Sequence, residues 1–466
     1  MEQAIAYFTE ILGSAHVRVS HADRLVYSYD GTPGYQALPD CIVVPGSTED
    51  VSAIVTYCHN HYIPIVPRGS GTNLSAGTCP TQGGVVVLFT RMNQILEVDT
   101  QNLTMTVQPG VVTKDIHNAA EVNGLFYPPD PSSQAISTIG GNINENSGGL
   151  RGLKYGVTKD YVLGLQVVLP NGHVLATGGK LTKDVAGYDV TKLIVGSEGT
   201  LGIVTEATLK LVPRQEAKST LLASFRSIEE AAKTVSLIIE QAIIPATLEF
   251  MDKGTIAAVE DFVNVGLPLE AAAVLLIEQD GKQEVVQEDM KKVESICRHS
   301  GAVNVTMAAS ETEAEELRRA RRAALSALAR LAPTTILEDA TVPRANVADM
   351  VNAIEQIARK HDVRICTFGH AGDGNLHPTC VTDARNTAEM ERVEAAFEEI
   401  FAAAIDLGGT ITGEHGVGEM KAPYLAWKVG ETGIEVMKAI KAAFDPRNIM
   451  NPGKLFAKEQ RKRVTL

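Results

Sequence analysis

Two short stretches carry side chains whose types and spacing could do chemistry. Residues 369–378, Gly-His-Ala-Gly-Asp-Gly-Asn-Leu-His-Pro, set two histidines, an aspartate and an asparagine among three glycines. Residues 413–418, Gly-Glu-His-Gly-Val-Gly, add a carboxylate and a third imidazole. Two neutral imidazoles and one carboxylate are a common ligand set for a divalent ion that keeps an open position, which suits Lewis-acid chemistry better than a closed structural site. On this reading His370, His377 and Glu414 are metal ligands and His415 is left for another task. Zinc, iron(II) and manganese all suit such donors. A surface loop with a hydrogen-bonded histidine would explain either stretch alone; two such stretches on one chain favour the ligand set.

The elements around them must do the positioning. Residues 363–368 alternate like a strand, which puts His370 at the strand end and His377 in the loop that follows. A helical run over 387–407 and the turn Gly408-Gly409 lead into the second stretch.

A chain of 466 residues exceeds what a single core usually holds, so two or three domains are expected. Its 44% hydrophobic and 21% charged residues describe an ordinary globular protein. A net charge of −14 argues against nucleic acid as a partner. The basic run Arg461-Lys462-Arg463 reads as solvated. The first residues lack a signal-peptide pattern and no apolar run reaches membrane-spanning length, so a cytoplasmic chain without a transmembrane segment is expected. Cys41, Cys58, Cys79, Cys297, Cys366 and Cys380 form no C-x-x-C pair, which leaves no zinc ribbon and no iron–sulfur cluster.

The N-terminal half supplies a different kind of surface. Residues 2–13 read as a helix stopped by glycine, 41–45 as a strand, 47–59 as a helix capped by Ser47, and 63–67 as a strand. Next, residues 68–77, Arg-Gly-Ser-Gly-Thr-Asn-Leu-Ser-Ala-Gly, can turn successive backbone N–H groups into one concavity, with short donors at Ser70, Thr72, Asn73 and Ser75. That is a pyrophosphate cradle without the Lys-Ser/Thr ending of a Walker loop or a Rossmann G-x-G-x-x-G. Residues 84–88, 95–99 and 104–110 read as three antiparallel strands, and 163–175 as a hairpin turning at Asn171-Gly172. Glycine-rich backbone over 137–149 suits the close approach of something flat. Residues 213–219 read as a domain boundary, and 311–331 as one helix.

Six motifs in order carry a resemblance: 68–77, 137–149, Gly196-Ser197-Glu198-Gly199-Thr200-Leu201-Gly202, 369–377, 413–418 and Asn451-Pro452-Gly453-Lys454. Together they resemble the FAD-linked 2-hydroxyacid dehydrogenases of the vanillyl-alcohol-oxidase type, close to the D-lactate dehydrogenases and the glycolate oxidase flavin subunit. The resemblance implies an α+β fold. It comprises a two-subdomain FAD-binding domain (1–215), an α+β cap domain for substrate (216–410), and a C-terminal segment returning to the flavin (411–466). It further implies FAD contacts from Arg68, Gly69, Ser70, Gly71, Thr72, Asn73 and Gly77, from Pro129, Asp130, Ser137, Thr138, Gly141, Asn142 and Asn146, and from Glu198, Gly199, Ile203 and Asn451. Relatives with covalent flavin carry a histidine in or beside the first loop; this chain has none between Arg68 and Gly77, so non-covalent FAD is implied.

For the reaction, the resemblance implies that a small D-2-hydroxy acid, D-lactate foremost, chelates the divalent ion through its hydroxyl and carboxylate. His415 takes the hydroxyl proton while the Cα hydrogen leaves as hydride to flavin N5. Arg321, within Leu317-Arg318-Arg319-Ala320-Arg321-Arg322, would hold the substrate carboxylate, its neighbours being solvated charges, and Asn375 would help to hold the substrate. The alternatives are a glycolate oxidase flavin subunit and a non-catalytic FAD electron-transfer subunit. A metal-dependent hydrolase would leave the glycine-rich half unexplained. Lacking any motif for a second redox centre, the chain is expected to hand its electrons to another protein, an electron-transferring flavoprotein or an iron–sulfur protein.

Overall fold

The computed structural model describes residues 1–456, and the basic run at 461–463 lies outside them. The chain divides into two compact units: one built from 1–147, 157–214 and the stretch beginning at Glu414, the other from 148–156 and 215–413.

In the first unit, among the described residues, a four-stranded sheet runs in the order Val17–Arg18, Cys41–Val43, Val85–Leu88, Ile65–Arg68. The last three strands are parallel. The sequence reading placed 84–88 with its antiparallel neighbours; instead it is the centre of this sheet, and all four of its side chains are buried. A short unbroken β-branched run is the pattern of a strand covered on both faces, where alternation cannot appear. One face, with Cys41, Val43, Ile65, Val85 and Val87, packs against Phe8, Val51, Ile54 and Val55 of the helices Glu2–Leu12 and Thr48–His61. The other face gathers Ile42, Val66, Val86 and Leu88. Ser47 caps the second helix by accepting from the Asp50 N–H.

A five-stranded antiparallel sheet also belongs to this unit, in the order Ile95–Asp99, Thr104–Val107, Ile203–Lys210, Val162–Val168, Val174–Gly178. The hairpin at Asn171-Gly172 is present. Residues 137–149 are not an open loop throughout: Ile139–Glu145 is a helix whose N-terminus is capped by the Thr138 hydroxyl. Gly140 sits inside it because its backbone presses on Pro109, where a Cβ would come within 2.7 Å of that ring.

The second unit is built on an antiparallel sheet of eight strands among the described residues. Its order is Asn304–Met307, Ala217–Phe225, Ala273–Gly281, Thr247–Asp252, Ile365–His370, Asn375–Thr382, Thr334–Leu337, with Ala340–Thr341 also pairing to Asn375–Thr382. The helices Val347–His361 and Thr387–Asp406 pack on each other and on the Ile365–His370 and Asn375–Thr382 strands respectively. Residues 311–331 form two helices, Glu311–Arg322 and Ala324–Leu328, rather than one. No helix among the described residues is long and apolar enough to cross a membrane.

Candidate active site

His377 does not lie in a loop. It sits within the strand Asn375–Thr382, and only residues 371–374 connect that strand to Ile365–His370. The glycines of this segment serve close approach. Gly374 has φ +86°, and a Cβ there would fall 2.0 Å from the Val342 carbonyl oxygen. The turn is drawn tight because the N–H groups of Asp373 and Gly374 both donate to the His370 carbonyl. Asp373 Oδ1 accepts from the Asn375 N–H at 3.1 Å.

The antiparallel register then decides which side chains meet. His370 pairs with Asn375 and Phe368 with His377, so all four share one face of the sheet. Phe250 pairs with Gly369 and Met251 with Phe368, which brings Glu249 opposite His370 on that face. His370 and His377 lie edge to face with centroids 5.1 Å apart. Glu249 Oε1 stands 2.7 Å from His370 Nδ1, so Nδ1 donates to the carboxylate.

The third residue of the candidate set, Glu414, follows directly on Gly413 in the chain. Thr341 and Thr410 exchange backbone hydrogen bonds, and the Gly413 N–H donates to Asp339 Oδ2 at 2.7 Å, which fixes the peptide preceding Glu414. One donor atom from each of His370, His377 and Glu414 lies within 4.8 Å of the others, two of the residues buried and one half-buried. Two imidazole nitrogens and one carboxylate oxygen are donor types that suit a zinc, iron(II) or manganese ion with coordination positions to spare.

Arg321 lies at the end of the helix Glu311–Arg322 and is only 2% exposed. Its Nη2 is 2.6 Å from Glu249 Oε2, and its guanidinium carbon sits 4.8 Å above the Phe368 ring. Its Nε has no hydrogen-bond partner among the described residues, and Nη2 meets Glu249 Oε2 as a close ion pair without hydrogen-bond geometry. A buried cation with an unspent donor is suited to receive an anion. Burial works to raise the Glu249 pKa, but the charges of Arg321 and then His370 outweigh it and hold the carboxyl below its usual range. Arg318, read above as a solvated neighbour, is instead buried, paired with Glu278 and reached by Glu311 and Glu315. Asn375 is also buried, and its Oδ1 accepts from the Thr341 hydroxyl at 3.0 Å, which leaves Nδ2 as its donor for a substrate.

The first unit holds its own knot of sequence-selected residues. Ser70 Oγ donates to the Ile136 carbonyl, Asn73 Nδ2 to Asp30, and Ser75 Oγ to the His415 carbonyl at 3.0 Å. Three of the four short side-chain donors are therefore spent on shaping the loop, and its backbone amides are the surface that can face a pyrophosphate. Arg68 lies beneath the loop, donating to the Thr78 hydroxyl, at a place where a Cβ on Gly71 would strike its guanidinium. Thr138 Oγ1 occupies the corresponding space beside Gly69, so both glycines admit close backbone approach that a side chain would block.

Several residues assigned to cofactor by resemblance have structural work as well. Asn142 donates to Thr113, Asn146 Oδ1 accepts from the Lys159 N–H, and the Pro129 carbonyl is bonded to His117. Glu198 points both carboxylate oxygens at the backbone, accepting from Val417 N–H at 2.7 Å and Gly418 N–H at 2.6 Å. Its burial raises its pKa, while those two amides pull the other way. Asn451 Nδ2 donates to the carbonyls of Gly77 and Glu198, tying the glycine loop, this carboxylate and the C-terminal segment together. Gly416, with φ +80°, has no room for a Cβ between Glu145 and Glu198. This framework fixes the backbone of His415, whose Nε2 is 3.8 Å from Glu414 Oε1.

Glu249 was not among the site residues read from the sequence. The signal was there: a carboxylate in mid-strand, between Leu248 and Phe250, must have partners once the strand is buried.

Comparison with known proteins shows the family of the chain. The model of the FAD-binding domain matches residues 39–178, and that of the C-terminal domain of FAD-linked oxidases matches residues 214–455. The chain is 67% identical to the glycolate oxidase subunit GlcD of Bacillus subtilis, over 98% of this chain and 97% of that one. It is 36% identical to a D-lactate dehydrogenase of Anaerostipes hadrus, over 90% of each. In fold it resembles p-cresol methylhydroxylase, with a TM-score of 0.82 over 97% of this chain and 96% of that one at 19% identity. The FAD-binding domain, the oxidase C-terminal domain and full-length relatives all agree: the chain belongs to the FAD-linked D-2-hydroxyacid dehydrogenases and is an oxidoreductase with the α+β fold of vanillyl-alcohol-oxidase-type flavoproteins.

Proposed function

We propose that the chain oxidises a small 2-hydroxy acid to the 2-oxo acid, with glycolate as the first candidate and D-lactate as the second. The observation that carries the chemistry is the convergence of His370, His377 and Glu414, together with Arg321 held close to His370 through Glu249. The order of substrates rests on the 67% identical relative named as a glycolate oxidase subunit, which displaces D-lactate from the first place that the sequence alone suggested.

Bound FAD would accept the hydride and a divalent ion on the ligand set would lower the pKa of the substrate hydroxyl. The chain's own residues do the rest. Arg321 pairs with the substrate carboxylate through the donors that Glu249 does not occupy, and Asn375 Nδ2 donates to a substrate oxygen. His415 accepts the hydroxyl proton, since a neutral imidazole is matched to neutral pH once the hydroxyl has been made more acidic. FAD is held without a covalent bond, because no histidine lies in the loop 68–77. Acid precipitation should therefore leave the yellow colour in the supernatant, and colour kept in the pellet would contradict this.

Electrons then pass to a separate acceptor protein, a reading supported by the word subunit in the name of the 67% identical relative. Steady-state assays with glycolate and both lactate enantiomers separate the options. Fast turnover is expected with an artificial acceptor dye, slow oxygen consumption in its absence, and D-lactate favoured over L-lactate. Preference for L-lactate, or stoichiometric hydrogen peroxide formed as fast as dye is reduced, would overturn the substrate and acceptor assignments respectively.

A further inference from the structure

We propose that Glu249 is a positioning residue that holds the ligand His370 and the anion-binding Arg321 in one frame. The inference rests on the reading of His370, His377 and Glu414 as a ligand set. Glu249 is 1% exposed, its two oxygens are divided between two partners, and both partners are buried as well. Oε1 takes His370 Nδ1 at 2.7 Å and Oε2 faces Arg321 Nη2 at 2.6 Å. A carboxylate is planar and rigid, and this one is mounted on the strand Thr247–Asp252, directly beside the strand that carries His370. The Phe368 ring supports the guanidinium from the neighbouring strand.

Two consequences follow from the chemistry of the group. A carboxylate accepting from Nδ1–H fixes the His370 tautomer, so that Nε2 would be the nitrogen to coordinate an ion, the usual way in which a second carboxylate raises the affinity of a histidine ligand. The same carboxylate sets how far Arg321 stands from that imidazole. The spacing between the ion and the charge that receives the substrate carboxylate therefore depends on a single side chain. For a substrate held at both its hydroxyl and its carboxylate, that spacing decides whether both contacts can be made at once.

Glutamine cannot substitute. Both partners are donors, and a carboxamide has only one accepting atom. Whichever way the amide of Glu249→Gln is oriented, its NH₂ confronts either His370 Nδ1–H or the guanidinium. Metal affinity should be measured by chelator competition with zinc and with manganese on the FAD-loaded protein, alongside KM and kcat for glycolate and D-lactate. E249Q should lose about 10- to 100-fold in metal affinity or gain a KM increase of roughly tenfold or more, the scale of a lost hydrogen bond to a charged group. E249A should show both changes. Wild-type values for both quantities in E249Q would overturn the proposal. Should the variants fail to retain FAD, the wild-type protein decides it: ¹⁵N spectra of labelled histidine should show His370 as the Nδ1–H tautomer, and the Nε2–H tautomer would refute it. A wild-type protein that binds neither ion would remove the ligand-set reading and this proposal together. Equal metal affinities together with equal KM values in wild type and E249Q would remove the proposal alone.

Discussion

His415→Ala should slow substrate-dependent flavin reduction by about 10²-fold or more, the usual scale of losing a general base, with FAD retained and KM little changed. The structural reason for expecting so clean a separation is that the backbone at this position is held independently of the imidazole. Ser75 Oγ donates to the His415 carbonyl, and Glu198 accepts from the N–H groups of Val417 and Gly418. None of these bonds involves the side chain to be removed. The defect should appear in kcat because an imidazole that only takes a proton contributes little to ground-state binding. Flavin reduction at the wild-type rate in the variant would show that another group is the base. Loss of FAD would show that the imbalance lies in the turn rather than in proton transfer.

Removal of the divalent ion should have the larger effect. Chelator treatment is expected to lower turnover by roughly 10³-fold, from the several kcal/mol that a Lewis acid supplies at about 1.4 kcal/mol per tenfold. The yellow colour should persist, because the glycine-rich loop 68–77, tied by Ser70, Asn73 and Ser75, shares no side chain with the candidate ligand set. Re-addition of zinc, manganese or iron(II) should restore activity, with the order of recovery identifying the preferred ion. Full activity in demonstrably metal-free protein would leave His370, His377 and Glu414 as a buried polar cluster without the proposed task.

These expectations depend on side chains that the sequence revealed unevenly. His370, His377, Glu414 and His415 stood out because histidines and carboxylates among glycines have no packing explanation, and the structure brings the first three together. Glycine, however, is ambiguous in sequence: it marks flexibility and close approach alike. That ambiguity hid the second strand of the hairpin carrying His377, whose turn at Gly374 is tight rather than loose. It also hid the helix Ile139–Glu145, in which Gly140 fits against Pro109. The strand Val85–Leu88 was recognisable as a strand but not as a parallel one, since its partners, Cys41–Val43 and Ile65–Arg68, are set by long-range packing. Among the arginines of the helix Glu311–Arg322, periodicity could not separate Arg318 from solvent-facing neighbours; its acceptor Glu278 comes from a strand 40 residues earlier. Glu249 was the hardest to see, because its partners come from another strand and from a distant helix.

The measurement that bears most directly on the account is anaerobic mixing of the FAD- and metal-loaded protein with glycolate or D-lactate while the flavin absorbance is followed. Bleaching of the yellow band with formation of one equivalent of glyoxylate or pyruvate per flavin is the predicted result, and it should vanish after chelation and slow markedly in His415→Ala. An unchanged spectrum with every small 2-hydroxy acid tried, in protein shown to hold both FAD and metal, would contradict it.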